Sequence, residues 1–259
     1  MVSVPSYPDL WLWGADYSQL EIRIFARVTK CRAMIETYQA GGDLHALTAH
    51  RVFGIPPDEL PKYPDLRTRA KTLNFGIAYG AEADTVQETI LKVSLRDPEK
   101  GIKIPSLDEC REMVKGFWRA YPEAEEWVTY MKGLFRRQGY AEDIFKRRRY
   151  LPDLLSWNSD LRARAERQGI NHCIQGPAGT ITKNAQLMIW RDIPRYPQYR
   201  PTILQQVHDE LWGTVRGPKY ELETVWLPLV KSSMELGQML RPVPLLVEPK
   251  LVKSWAELK

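Results

Sequence analysis

The sequence predicts an α+β fold: a sheet assembled from the two ends of the chain, with a helical subdomain inserted between them. Three observations carry that reading. Strand character is confined to residues 11–15 near the start and to 203–207, 211–215 and 245–252 near the end. The middle third is almost wholly helical in its pattern. Two acidic segments, GADYSQLEIR ending at Arg23 and QQVHDEL ending at Leu211, each set an aspartate (Asp16 and Asp209) where an apolar strand runs into a turn.

After the first strand, Leu20, Ile22, Ile24, Phe25 and Val28 give residues 19–29 the apolar face of a helix packed on a sheet. A second helical pattern, 33–52, breaks at Gly41-Gly42, and prolines at 56, 57, 61 and 64 mark a loop. A strong helix follows over 66–79. Residues 96–105 read as an exposed loop, and 107–137 as one or two amphipathic helices interrupted at Tyr121-Pro122. The arginines at 147–149, beside Tyr150-Leu151-Pro152, sit in a turn-rich segment. A long helix over 161–190 precedes the last strands. No internal repeat or low-complexity stretch is visible.

Composition bounds the class. The 259 residues suffice for one large domain or two smaller ones, and 44% hydrophobic with 27% charged residues is a globular balance. No stretch approaches the ~20 apolar residues of a membrane span. The N-terminus lacks the basic and apolar regions of a signal peptide, so the cytoplasm of a bacterial cell or a phage-infected host is expected, with no membrane partner. Cys31, Cys110 and Cys173 are odd in number and far apart, which speaks for reduced structural thiols over disulfides or a zinc site. The net charge of +5 mildly favours a polyanion. Its distribution says more. Arg136, Arg137, Lys146, Arg147, Arg148, Arg149, Arg162, Arg164 and Arg167 interleave with Phe135, Tyr140, Phe145 and Tyr150, a mixture that suits a phosphate backbone better than a solvated helical face.

The chemistry concentrates at two places. Carboxylates at strand ends are hard oxygen ligands held by backbone, and two of them can hold Mg²⁺ ions about 3.5–4 Å apart for phosphoryl transfer. An isolated Asp in such a place more often caps a turn. On the helix near residue 70, Arg67, Lys71, Phe75 and Tyr79 recur every four residues and share a face, able to carry a triphosphate at one end and a stacked base at the other. The plainer alternative buries the aromatics and lets the cations snorkel. Gly76 and Gly80, costly inside a helix, point to something approaching closely.

DYSQLEIR (Asp16 to Arg23), RTRAKTLNFGIAYG (Arg67 to Gly80) and QVHDE (Gln206 to Glu210) resemble, in order, the three polymerase motifs of the family A DNA polymerases related to bacterial DNA polymerase I. GDLH ending at His45, RRRYLPDL from Arg147 and ERQGINHCIQG from Glu166 extend the resemblance over nearly the whole chain. It implies a right-hand palm, an antiparallel sheet with packed helices, and an inserted helical fingers subdomain. The expected divisions are 1–29 and 165–259 for the palm and 30–164 for the fingers.

It also implies roles. Asp16 and Asp209 would bind two Mg²⁺ ions, replaceable by Mn²⁺, with the Tyr17 carbonyl as a further ligand and Glu210 a less direct one. Lys71 and Arg67 resemble triphosphate contacts on a mobile helix, with Gln19 and His45 as additional phosphate and sugar contacts. Glu21 and Tyr79 look like the wall against a ribose 2′-hydroxyl, and Phe75 implies discrimination against dideoxynucleotides. Arg167, Asn171, Gln175 and His208, with Arg147 and Arg148, match DNA contacts. Taken singly, most of these residues would read as ordinary caps, turns or helix pairs.

The implied function is template-directed transfer of dNMP from dNTP to a primer 3′-hydroxyl. A non-catalytic nucleic-acid-binding subunit, or a single-subunit RNA polymerase or reverse transcriptase, are the rivals. The intact Asp16, Asp209, Lys71 and Arg67 oppose the first, and Glu21 and Phe75 favour the DNA enzyme over the others. Two departures stand out: Asp143 and Lys146 replace a usual Thr and Gly, and 177–180 differ from the usual small and acidic residues. The chain also begins a few residues before Asp16. From this the expectation is a split or truncated polymerase lacking thumb and exonuclease. A second polypeptide would then supply them, docking near Pro5 to Trp13 through Tyr7, Trp11 and Trp13.

Overall fold

The computed structural model describes residues 8–235 and 239–257. In chain order its main elements are β1 (Leu10–Asp16), α1 (Leu20–Thr29), α2 (Arg32–Gln39), α3 (Leu44–Phe53), α4 (Pro64–Ala78), α5 (Ala83–Arg96), α6 (Leu107–Ala120) and α7 (Pro122–Gln138). There follow β2 (Tyr140–Glu142), β3 (Arg148–Tyr150), α8 (Ser159–Asp192), β4 (Thr202–Val207) and β5 (Glu210–Arg216). The chain closes with α9 (Lys219–Glu221), a π turn (Leu222–Trp226), α10 (Leu227–Glu235) and β6 (Lys250–Val252). It divides into two compact units: the first joins 1–20 to 177–259, and the second is the continuous stretch 21–176. Among the described residues no helix is long and apolar enough to cross a membrane.

The first unit is a four-stranded antiparallel sheet in the order β4-β5-β1-β6. Along β1 apolar residues point both ways, so both faces must be covered. On one face Leu12, Trp212 and Val252 cluster, and Trp255 stacks on Trp212 with ring centroids 3.9 Å apart. On the other, Trp13 is wholly buried, donates its indole N–H to the Thr202 carbonyl at 3.1 Å and meets Trp226 edge-on at 5.9 Å. Gly213, directly across from Trp13, makes room for that indole: a Cβ there would run into the Thr202 carbonyl and the Trp13 ring.

Two expectations are corrected here. The last strand is shorter than 245–252: only Lys250–Val252 pairs with β1, apart from an isolated bridge between Tyr17 and Val247. Pro244 and Pro249 have no N–H to give a ladder. Trp13 cannot anchor a partner because it is core. Trp11 is half-buried, with the Lys253 ammonium 3.4 Å from its ring centroid. Pro5 and Tyr7 lie outside the described residues.

In the second unit the helix ends follow local rules. Asp43 caps α3 and Gly54 closes it at φ +73°. Ser106 and Glu109 form a capping box at the start of α6, and α7 restarts at Pro122, a residue suited to a first turn. The basic, turn-rich segment is a hairpin, β2–β3, which the pattern alone did not reveal. Its tip is organised by Asp143, whose side chain is fully buried. Asp143 Oδ1 accepts from the backbone N–H of Phe145 at 2.8 Å and of Arg147 at 3.1 Å, and Oδ2 from Arg147 Nε at 3.0 Å. Lys146 sits at φ +67°, a conformation glycine adopts without cost. The replacements at Asp143 and Lys146 thus belong to one turn.

The tightness at Gly213 sets a test of the sheet. Gly213→Ala should destabilise the protein by about 3 kcal/mol or more, since neither a backbone carbonyl nor a buried indole can yield cheaply. A thermal melt should shift down by roughly 6–12 °C.

Candidate active site

β1 delivers Asp16 as its last residue, and the antiparallel register sets it opposite Glu210, the first residue of β5. Asp209 precedes Glu210 in the two-residue turn joining β4 to β5, beside His208, which adopts a left-handed φ of +54°. Three carboxylates therefore gather at one end of the sheet. Burial, then the charges of Asp209 and Glu210, push the Asp16 carboxyl up to about 6, against the Tyr17 backbone amide and Lys250. Burial also raises Asp209, opposed by its own amide and by His208. Tyr17 donates its hydroxyl to the Met234 carbonyl at 2.6 Å, and its phenol is raised by burial, Asp209 and Glu235. Gln19 follows at φ +55°, just ahead of α1.

A cavity of about 310 Å³ opens here, lined by Gly14, Asp16, Ser18, Glu210, Glu248 and Lys250. The sequence reading missed Lys250 and Glu248. They arrive through the pairing of β6 with β1, Gly14 opposite Lys250, for which no local pattern exists. Among the described residues no three His, Cys, Asp or Glu side chains form a ready cage for a metal. Mg²⁺ is commonly held by one or two carboxylates, with water and substrate phosphates completing its shell. A carboxyl that neighbouring carboxylates push up, as Asp209 and Glu210 do Asp16, gains from such a cation, so the donor set fits it.

In the second unit α4 presents two of its cations, Arg67 and Lys71, outward. Arg67 and Lys71 are exposed and Phe75 and Tyr79 partly covered, while Ala70, Leu73, Asn74 and Ile77 are buried. Arg67 donates to Asp43 Oδ2 at 2.8 Å, and Asp43 Oδ1 accepts the His45 amide at 2.8 Å. Against the upward push of burial, these bonds hold the Asp43 carboxyl below its usual value.

His45 is buried, its ring 5.8 Å from that of Phe75. It ends a chain of buried polar groups absent from the sequence reading. The Tyr121 hydroxyl lies 2.7 Å from Thr48 Oγ1, Thr48 donates to Asn74 Oδ1 at 2.9 Å, and Asn74 Nδ2 meets His45 Nδ1 at 2.8 Å. Thr48 has one proton and gives it to Asn74, so Tyr121 donates to Thr48, and the Asn74 N–H leaves His45 with its ring proton on Nε2. Burial pushes His45 down to about 4, aided by Arg67 and Lys71 and opposed by Asp43. A buried Asn in mid-helix, a poor helix former, was the signal available in the sequence.

The remaining candidates are spread along α1, α8 and the hairpin. Glu21 stands in the first turn of α1. On α8, Asn171 Nδ2 donates to Gln175 Oε1 at 3.0 Å, and Asn171 Oδ1 is buried without a partner among the described residues. The close approach expected at Gly76 and Gly80 comes from the protein itself. A Cβ at Gly76 would lie 3.2 Å from the Ala81 side chain, and one at Gly80, at φ +77°, would lie 3.0 Å from Arg167 Cγ. Arg147 binds Asp143 and the Gly176 carbonyl. Arg148 binds Glu142 at 2.9 Å and covers the Tyr140 ring at 4.6 Å. Both arginines therefore brace the hairpin.

Residues 2–257 match the model of DNA polymerase family A. The thermostable DNA polymerase I of Thermus aquaticus is 34% identical over 250 residues, covering 96% of this chain and 27% of that protein. DNA polymerase I of Streptococcus pneumoniae is 35% identical over 257 residues, again 27% of its length. The chain thus spans about a quarter of these curated relatives. A solved structure described as the POL domain of Pol1 from M. smegmatis in complex with DNA primer-template and dNTP superposes with a TM-score of 0.80 at 32% identity, covering 98% of this chain and 41% of that one. The resemblance drawn from three motifs, and the α+β architecture with a helical insertion, are borne out.

The His45 chain has a measurable signature. Between pH 6.5, its ordinary value, and about 4, the unfolded chain binds a proton that the folded chain does not. Stability should therefore fall as pH drops through that window, by about 1.4 kcal/mol per pH unit from this residue, and level off below it. Asp43 acts the same way only below the usual carboxylate range, while Asp16, raised to about 6, acts in the opposite sense. Comparing His45→Gln with wild type isolates the effect: the wild type's advantage in thermal melts should shrink steadily from pH 6.5 to pH 4.

Proposed function

This chain belongs to DNA polymerase family A, and from that premise we propose that it transfers dNMP from a dNTP to a primer 3′-hydroxyl, each addition directed by a template. The observation that carries the reading is the gathering of Asp16, Asp209 and Glu210 at one sheet end, where mutual repulsion has no structural benefit unless a cation is to be held. Asp16 and Asp209 would hold two Mg²⁺ ions, with the Tyr17 carbonyl and, less directly, Glu210 beside them; Mn²⁺ suits the same oxygens. Bound there, the metal lowers the cost of charge on the attacking and leaving oxygens.

The protein's own groups do the rest. Arg67 and Lys71 neutralise the triphosphate, His45 offers its Nε2–H, and Gln19 adds a polar contact. Phe75, Tyr79 and Glu21 set sugar selection, in favour of dNTPs. Arg167, Asn171, Gln175 and His208 are assigned to DNA, together with Arg147 and Arg148 through the hairpin they brace. We assign the first unit to a palm and the second to fingers, and place the activity in the cytoplasm of a bacterial cell or phage-infected host. Tight grip on a duplex we ascribe to further polypeptide, whether in a longer chain or a second subunit.

Asp16→Asn and Asp209→Asn should each lower primer extension by roughly 10³-fold or more, since a metal ligand is lost. Circular dichroism should show an intact fold, with Asp16→Asn melting no lower than wild type because a repelling charge is gone. Extension near the wild-type rate would refute the metal assignment. Lys71→Ala should raise the KM for dNTP roughly 10- to 150-fold, the worth of a charge-assisted hydrogen bond, while leaving the Kd for primer-template nearly unchanged. Equal weakening of both would move Lys71 onto the DNA.

A further inference from the structure

The stretch from β3 into α8 bears the two most exposed large apolar side chains among the described residues, Trp157 and Leu155. Trp157 is 99% exposed, Leu155 88% and Tyr150 72%. An exposed Leu alone is ordinary, but a Trp left wholly in water with apolar neighbours marks a contact surface. The turn that presents it is braced. Arg162 Nη1 donates to the Ser156 carbonyl at 2.8 Å and the Trp157 carbonyl at 2.9 Å. Asn158 Oδ1 accepts the Asp160 amide at 2.7 Å and so caps α8, and the Asn158 amide donates to Ser156 Oγ at 3.2 Å. The backbone under the indole is therefore ordered before any partner arrives, which lowers the entropy cost of binding.

The charge around it selects the partner. Arg162, which bonds the carbonyls of this turn, is exposed, and among the described residues it pairs with no carboxylate. A cavity of about 560 Å³, lined by Arg136, Leu154, Ser159, Arg162, Ala163 and Glu166, opens next to the turn. An apolar protein surface laid on Trp157 and Leu155 would strip water from the Arg162 guanidinium without replacing it. A single strand of nucleic acid offers flat bases and phosphates together.

We propose that the turn at Trp157 seats an unpaired stretch of the template, a base stacking on Trp157 and a phosphate meeting Arg162 beside it. The proposal rests on the polymerase reading, which requires an unpaired template strand ahead of the primer. The probes are a fluorescently labelled oligo-dT of about twelve nucleotides, within the span such sites cover, and an abasic strand of equal length. Anisotropy titrations compare wild type, Trp157→Ala and Trp157→Phe.

Trp157→Ala should weaken oligo-dT binding roughly 5- to 150-fold, the range for one stacked base, and Trp157→Phe should retain most of the affinity. Wild type and Trp157→Ala should bind the abasic strand equally. Unchanged oligo-dT affinity in Trp157→Ala, an equal loss on the abasic strand, or self-association that Trp157→Ala abolishes without affecting oligo-dT would each overturn the proposal. Primer extension by the wild-type chain separates the two readings. Extension without any Trp157 dependence of binding leaves the polymerase reading alone standing, and Trp157-dependent binding without extension leaves only the stacking face.

Discussion

β1 and β5 lie almost the whole chain apart, yet every residue from Leu10 to Asp16 faces one from Arg216 back to Glu210. That register decides where the carboxylates stand. A slip of one residue would turn each side chain to the opposite face and carry Asp16 away from Glu210. What fixes it is apolar and lies three positions away: Trp13 fits over Gly213 and under Trp226, and no neighbouring position of β5 lacks a side chain. The electrostatic strain at the strand ends is thus held by packing at the strand middle.

The two units carry opposite chemistry. One concentrates carboxylates whose ionisation is resisted; the other presents a guanidinium, an ammonium and an imidazole kept neutral by its surroundings. Asp43 links several parts of the second set, capping α3 through the His45 amide while holding the Arg67 side chain. On the proposed reading an incoming phosphate would compete with Asp43 for Arg67, an exchange of one anion for another that costs less than ordering a free side chain. His45 remains neutral near pH 7, and on the proposed reading it would meet a phosphate as a hydrogen-bond donor, without the charge that would bind triphosphate and inorganic phosphate alike.

Much of this was legible in the residues. Asp16 and Asp209 announced themselves by sitting after apolar strands, and Arg67, Lys71, Phe75 and Tyr79 by their spacing, because both signals are local periodicities. What was not legible depends on distant pairing. Lys250 reaches Asp16 only through the sheet, Tyr121 reaches Asn74 only through the packing of three helices, and β2–β3 is too short for alternation to show. Gly80 was noticed as a costly helix residue, but whether a ligand or Arg167 approached it could not be read from spacing. Trp13 looked like an aromatic anchor because burial on both faces of a strand resembles exposure when only the local pattern is visible.

The discontinuity of the first unit has a consequence for the order in which the molecule can form. The second unit is one continuous stretch and can close its core as soon as it leaves the ribosome. β1 emerges before the second unit and must wait for β5 and β6, which are translated after it; at about 5–20 residues per second the interval is roughly 10–40 s. Throughout it, a strand rich in tryptophan and leucine stays without a partner at both edges, open to non-native pairing. The loop that must close to join it is nearly as long as the chain. Having that loop already condensed into a folded unit shortens the effective distance and makes the late pairing of β1 feasible.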